Sequence, residues 1–149
     1  MEEDQRLRKR VFIDTNIILS GVFFSGNESK VLSLMDIDLF TSDLAIEEAK
    51  EVIRRKYGAF GNESCKIALE ELENAVMDFA GIIQKKYYSD KIHAAKKLID
   101  KEKDSKILAA ALTINPDYFI TGDSDFFKPE VKKLINVCKT KDVLRELGL

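Results

Sequence analysis

Three aspartates come directly after short apolar runs that are typical of buried strands. Asp14 follows residues 11–13 (VFI), and Asp123 and Asp125 follow residues 118–121 (YFIT). Ligands of an open α/β sheet usually bind beyond the carboxyl ends of its parallel strands. We therefore expect the three carboxylates to meet at one edge of a sheet, where together they could hold a cation.

Two further acids lie on the apolar faces of predicted helices. Glu48 has Leu44 and Val52 four residues to either side, and Asp104 stands three residues before Ile107. Residues three or four apart share one face of a helix, so both carboxylates should be directed toward the protein. A charge on an apolar face needs a compensating partner.

The chemistry predicted for these acids is metal-assisted hydrolysis. Carboxylates that lie close together raise each other's pKa unless a cation compensates them, and a divalent ion would do so. Ligand sets made only of oxygen favour Mg²⁺ or Mn²⁺, here one or two ions. Zinc is disfavoured because the chain has one histidine, His93, and two distant cysteines, Cys65 and Cys138. The single histidine also argues against a Ser-His-Asp or two-histidine mechanism.

The elements that must position the acids alternate along the chain. Short β-rich apolar runs predict strands near residues 11–13, 39–40, 82–83, 118–121 and 134–139. Apolar residues at helical spacing predict helices near residues 16–24, 44–53, 63–80, 92–99, 104–113 and 142–147. This order predicts a three-layer α/β/α sandwich around a central, mostly parallel sheet of four to five strands.

Length and composition fit one domain over residues 1–149, with residues 1–10 as a flexible charged tail. The net charge of −2 lacks the basic excess of many nucleic-acid binders, although residues 54–56 (RRK) could contact RNA phosphates. The start of the chain lacks the apolar region of a secretory signal, and no apolar run approaches the length of a membrane span. We therefore expect a cytoplasmic protein with no membrane anchor.

Four segments resemble the motifs of PIN domains, in the order in which that family has them. They are VFIDTNIILSG at 11–21, SDLAIEEAKEVI at 42–53, DSKILAAAL at 104–112 and ITGDSDFF at 120–127. The resemblance implies a metal-dependent endoribonuclease. It implies Asp14, Glu48, Asp104 and Asp123 as the catalytic acids that bind Mg²⁺ or Mn²⁺, with Asp125 as an additional metal-binding acid or as an acid that supports the metal ligands without touching the metal. It also implies that Thr15, Asn16, Ser42 and Thr121 orient these carboxylates or the substrate phosphate.

The resemblance further implies partners, and other interpretations stay open. PIN domains typically cleave RNA, many as toxins held by an antitoxin protein and others in RNA processing or decay, and many form homodimers. One alternative is a catalytically inactive PIN-like RNA-binding or scaffold protein. A haloacid dehalogenase-like phosphatase fits less well, because Asn16 stands where that class has its second aspartate.

Each acid taken alone also has a purely structural interpretation. Asp14 and Asp104 could cap helices, Asp123 and Asp125 could belong to a turn, and Glu48 could pair with a buried Lys or Arg. The prediction of a site therefore depends on the whole set of acids and their order along the chain, and not on any single residue.

Overall fold

The computed structural model describes residues 8–149 and contains a five-stranded sheet with the strand order β3-β2-β1-β4-β5. All four strand pairings are parallel. The strands are β1 (Lys9–Ile13), β2 (Ile37–Ser42), β3 (Gly81–Ile83), β4 (Tyr118–Ile120) and β5 (Val137–Cys138). The prediction of a mostly parallel sheet of four to five strands is confirmed.

Helices connect the strands and cover both faces of the sheet. The α-helices of the described residues are α1 (Thr15–Phe23), α2 (Asn27–Leu32), α3 (Asp43–Tyr57), α4 (Asn62–Val76), α5 (Lys85–Tyr88), α6 (Ile92–Lys96), α7 (Glu102–Ile114), α8 (Pro129–Lys132) and α9 (Thr140–Glu146). Short 3₁₀ turns cover Gly58–Phe60, Ser89–Lys91 and Ser124–Phe127. Between residues 8 and 149, no helix is long and apolar enough to cross a membrane.

Strand β1 lies at the centre of the sheet because its apolar residues can be buried on both faces. Val11 and Ile13 belong to one hydrophobic core, which also contains buried residues of α1, α3 and α4. Phe12 points the opposite way, as the alternation of a strand requires, and packs in a second core with the buried face of α7. The predicted three-layer α/β/α arrangement is therefore confirmed, with β1 in the middle of the sheet beside β4.

The predicted charged tail over residues 1–10 is wrong for its last residues. Lys9 and Arg10 belong to β1, because they pair in register with Ile37 and Asp38 of β2. Residues 1–7 lie outside the described residues, and the prediction is untested there.

Other differences concern the ends of elements and short helices. Helix α7 begins at Glu102, two residues earlier than predicted, so residues 102–103 are helical rather than part of a connection. The last strand is confined to Val137–Cys138, because residues 133–135 continue the turn that follows α8. Helices α2, α5 and α8 were not predicted, since elements of four to six residues are too short to show a helical period.

Candidate metal centre

The carboxyl ends of β1 and β4 place a buried carboxylate beside a buried hydroxyl. Ile13 pairs with Ile120 across the two strands, so the residues after them, Asp14 and Thr121, are neighbours. Asp14 is only 5% exposed and Thr121 is fully buried. The Thr121 hydroxyl donates a hydrogen bond to Oδ2 of Asp14 and accepts one from the backbone N–H of Asp123 at 3.1 Å. Thr121 thus joins two of the predicted acids.

Asp14 also caps helix α1. Its Oδ1 accepts a hydrogen bond from the backbone N–H of Ile17 at 3.2 Å. The interpretation of Asp14 as a helix cap is therefore correct for Oδ1. It does not exclude a role in a site, because neighbours hold both oxygens and the carboxylate still borders a cleft.

Glu48 is presented by helix α3, which starts directly after β2. The Ser42 hydroxyl accepts a hydrogen bond from the backbone N–H of Ala45 at 3.1 Å and so caps α3. Ser42 therefore stabilises the start of α3. It is not among the described residues that line the cleft.

The two carboxylate oxygens of Glu48 have different surroundings. Oε2 accepts a hydrogen bond from the Thr15 hydroxyl at 2.8 Å. Oε1 is buried and accepts no hydrogen bond from any residue between 8 and 149, and the nearest ammonium, that of Lys103, is 3.9 Å away. A buried carboxylate oxygen without a donor is costly unless a further cation meets it.

Asp104 and Asp123 complete the acidic group from the other side. Asp104 lies in the first turn of α7 but does not cap it, because Lys101 occupies the capping position. Asp123 caps the 3₁₀ turn that follows β4 by accepting the Asp125 backbone N–H at 3.0 Å. Carboxylate oxygens of Asp104, Asp123 and Asp125 lie within 4.8 Å of one another.

A cleft of about 250 Å³ brings the predicted catalytic acids together. Its described lining includes all four of them, namely Asp14, Glu48, Asp104 and Asp123, together with Thr15 and the exposed Asn16. Asp125 and Thr121 are not among the described lining residues. The cleft and the cluster of three aspartates thus share Asp104 and Asp123, and the cleft is also lined by Glu48, whose Oε1 lacks a donor among residues 8–149.

Burial, more than the charges of neighbouring acids, raises the pKa of two acids of the cleft. Burial is the largest of the causes that together raise the pKa of Asp14 to about 6; the hydrogen bonds from Thr121 and Ile17 lower it, and the charges of Asp123 and Asp104 make smaller contributions to the rise. Burial and then the charge of Asp123 likewise raise the pKa of Asp104. The described lining of the cleft contains more acids than cations, namely Asp14, Glu48, Glu51, Asp104 and Asp123 against Arg55 and Lys103.

A divalent metal ion fits this donor set. The acidic groups offer carboxylate oxygens, which Mg²⁺ and Mn²⁺ prefer, and they come from separate elements that border one cleft. Glu48, whose Oε1 lacks a donor among the described residues, lines the same cleft. The structure thus brings together the acids that the sequence singled out.

Sequence reasoning missed the cations around the cleft. Lys103 lines it, as does Arg55, for which the sequence suggested only a contact with RNA phosphates. Lys101 pairs with Asp125 at 2.9 Å. Lys101 and Lys103 fall in a segment predicted as a connection. Their spacing from Asp104 would have indicated that they lie at the site only if the start of α7 had been known.

A family model described as the PIN domain matches residues 12–147. The chain belongs to the PIN-domain family. Members of this family are nucleases, and the match extends from β1 to the residue after α9. The matched range includes every acid described above.

Solved structures agree with this fold. VapBC-1 from nontypeable Haemophilus influenzae is similar at a TM-score of 0.64 and 16% identity, over 89% of this chain and 98% of that chain. VapBC2 from Rickettsia felis, bound to a DNA fragment from their promoter, is similar at a TM-score of 0.62 and 16% identity, over 87% of this chain and 98% of that one. At such identity the likeness concerns the PIN fold alone. A comparison with curated protein sequences gave no significant match.

Proposed function

We propose that this PIN domain is a Mg²⁺- or Mn²⁺-dependent endoribonuclease that hydrolyses RNA phosphodiester bonds in the cytoplasm, with residues 1–149 as a single domain. The observation that supports the proposal is the cleft in which Asp14, Glu48, Asp104 and Asp123 converge while Oε1 of Glu48 lacks a donor among the described residues. Structural ion pairing alone does not account for this excess of carboxylates.

The four acids would hold the metal, and their neighbours would fix the ligand geometry. When bound, a divalent ion lowers the pKa of a coordinated water and stabilises negative charge on phosphoryl oxygens. Thr121 orients Asp14 and the Asp123 backbone, and Thr15 orients Glu48, through the hydrogen bonds described above. Arg55 and Lys103 lie at the cleft, where they can attract the phosphates of a polyanion.

The experiment that tests the proposal is cleavage of an end-labelled RNA of mixed sequence by purified protein in Mn²⁺, Mg²⁺ or EDTA. Asp14→Asn is the test variant, and Asp38→Asn is its control, because Asp38 lies at the opposite end of the sheet and pairs with Arg8. We expect cleavage that requires metal, is lost in Asp14→Asn and persists in Asp38→Asn. Equal rates for Asp14→Asn and wild type would overturn the assignment.

The same protein samples distinguish a nuclease from an inactive RNA-binding protein. Calorimetric titration with Mn²⁺ and fluorescence anisotropy with labelled RNA would then show binding of both without product. That outcome would replace the nuclease by the scaffold alternative.

We also propose that the nuclease is the toxin of a toxin–antitoxin pair and forms a homodimer. The support is the likeness in fold to VapBC2 and VapBC-1, together with the toxins known among PIN domains. Induced expression in bacteria should arrest growth for the wild type and not for Asp14→Asn, and co-expression of a protein encoded by a neighbouring gene should restore growth. Light scattering after size-exclusion chromatography would test the dimer.

A further inference from the structure

Asp125 differs from the acids around it because a cation already compensates its charge. Its Oδ2 lies 2.9 Å from the ammonium of Lys101. Within residues 8–149, neither Asp104 nor Asp123 takes part in an ion pair. The three carboxylates are close in space but are not electrostatically equivalent.

The backbone, rather than a shared ion, accounts for the position of Asp125 near the other acids. Its N–H donates to Oδ1 of Asp123 at 3.0 Å, which fixes the start of the 3₁₀ turn Ser124–Phe127. The side chain of Phe126 is 1% exposed and anchors this turn in the second core. Proximity to Asp123 therefore follows from the turn and does not require Asp125 to be a ligand.

The ion pair places Lys101 at the edge of the acidic group. Its ammonium contacts Asp125, whose carboxylate lies within 4.8 Å of the carboxylates of Asp104 and Asp123. Lys101 is thus held beside the acidic group, while its side chain remains 72% exposed.

We propose that Asp125 is not a metal ligand but a positioning residue that holds Lys101 beside the metal centre, where the Lys101 ammonium binds a phosphate of the RNA strand. This inference rests on the proposed function and identifies a phosphate-binding position within it. An ammonium has three donors, and pairing with Asp125 uses one, so two remain for a phosphate. A lysine stem is flexible, and fixing it in advance reduces the entropy lost when RNA binds.

The test separates metal binding from RNA binding in Lys101→Ala, Asp125→Asn and the double variant. Mn²⁺ affinity is measured by calorimetry without RNA, and KM, kcat and anisotropy are measured with a short fluorescein-labelled single-stranded RNA. We expect each single variant to raise KM and the RNA dissociation constant roughly tenfold, the loss of one hydrogen bond to a charged group. The double variant should match the single ones, because the two residues act as a unit.

Two further readouts distinguish a phosphate contact from a structural role. The slope of log affinity against log salt concentration should fall by about 0.7 in Lys101→Ala, the value for one phosphate contact on a single strand. Lys101→Arg, which keeps the charge, should restore most of the RNA affinity. Mn²⁺ affinity should stay within about twofold of wild type in Asp125→Asn, since no ligand is removed, and fall steeply in Asp104→Asn.

Matched controls come from an ion pair elsewhere on the surface. Asp90 and Lys91 pair with each other at 4.0 Å, and neither is among the described residues that line the cleft, so Asp90→Asn and Lys91→Ala should change neither RNA binding nor metal binding. A loss of Mn²⁺ affinity in Asp125→Asn equal to that in Asp104→Asn would overturn the inference, as would unchanged RNA affinity in Lys101→Ala. If Asp125→Asn unfolds early, Lys101→Ala carries the test because its side chain is exposed. If the wild-type protein does not cleave RNA, the proposed function is contradicted. Anisotropy and calorimetry would still decide this inference, because they measure RNA binding and Mn²⁺ binding without cleavage.

Discussion

The two ends of the central strands contain the same acidic residue type in opposite electrostatic conditions. At the amino edge, Asp38 pairs with Arg8 at 2.9 Å, and Asp117 accepts the backbone N–H of Arg10 at 2.8 Å. At the carboxyl edge, Asp14 is buried against Thr121 and faces other carboxylates. The acids at the amino edge each have a hydrogen-bond donor, whereas the acids at the carboxyl edge outnumber the donors and cations beside them.

This difference indicates that the balance of charge, rather than the number of acids, identifies a site. The contacts Arg10–Asp117 and Asp14–Thr121 both join β1 to β4 across the same separation of 107 residues. One edge uses its acid to complete the sheet with a backbone donor. The other gathers acids that only an added cation can balance, which is the condition for metal binding.

The largest expected effect is at Glu48, whose adjacent residue on the same helix provides a control. Glu48→Gln should lower kcat/KM for RNA by about 100-fold or more, because removal even of groups that only support metal ligands costs about 10- to 100-fold. Glu47→Gln should leave kcat/KM unchanged, since Glu47 is 61% exposed and its ion pair within residues 8–149 is with Lys50 at 3.7 Å. Steady-state kinetics in Mn²⁺ measure both; equal losses in the two variants would remove Glu48 from the site.

Next in size is the pH dependence of the stability of the metal-free protein. The folded pKa of Asp14 is about 6 against an ordinary 3.8, so the folded state holds its proton more tightly and stability should fall as pH rises between these values. Asp14→Asn should lessen this fall and raise the free energy of unfolding at pH 7 by up to roughly 3 kcal/mol.

Denaturant titrations in EDTA across pH 4 to pH 8 measure this stability. Asp38→Asn should have the opposite sign, a small loss, because its carboxylate has a cationic partner. If Asp14→Asn were less stable than the wild type at pH 7 without metal, the result would contradict an excess of negative charge at the carboxyl edge.

A smaller effect is expected when the hydroxyl between two acids is removed. Thr121→Val keeps the shape but removes the donor to Asp14 and the acceptor for the Asp123 backbone. Cleavage should fall by about 10- to 100-fold, the cost of losing a group that orients a metal ligand. Thr113→Val is the control, because the Thr113 hydroxyl donates its hydrogen bond within α7, to the carbonyl of Ala109. Cleavage assays and thermal melts of both variants measure the effect; wild-type cleavage by Thr121→Val would contradict an orienting role.

The acidic edge was predictable because it depends on short-range sequence patterns and on one topological rule. The runs before Asp14 and Asp123 are β-rich and largely apolar, and parallel strands bring the residues at their carboxyl ends to a common edge. Asp14 also showed why single residues mislead, since it caps α1 and borders the cleft at the same time.

The features that could not be predicted depend on where helices begin and how they rotate against the sheet. Thr15 and Asn16 are adjacent in sequence, yet Thr15 is buried against Glu48 and Asn16 is exposed, because the packing of α1 decides which side chain faces inward. The positions of Lys101 and Lys103 depend on the start of α7 at Glu102, and helix ends are poorly determined by periodicity.

The smallest expected effect is at the amino edge, where Arg8→Ala tests whether that edge is inert. Arg8 pairs with Asp38 and donates to the carbonyls of Met35 and Ile37, but the two paired side chains remain 36% and 35% exposed. Solvent screens such a pair, so the loss in the free energy of unfolding should be about 0.5 to 1 kcal/mol. Cleavage should be unchanged, because the carboxyl edge lies at the other end of β1. Denaturant titration of Arg8→Ala, Asp38→Asn and the double variant would give the coupling between the two side chains. A coupling of several kcal/mol, or a loss of cleavage, would mean that the compensated edge also supports the site.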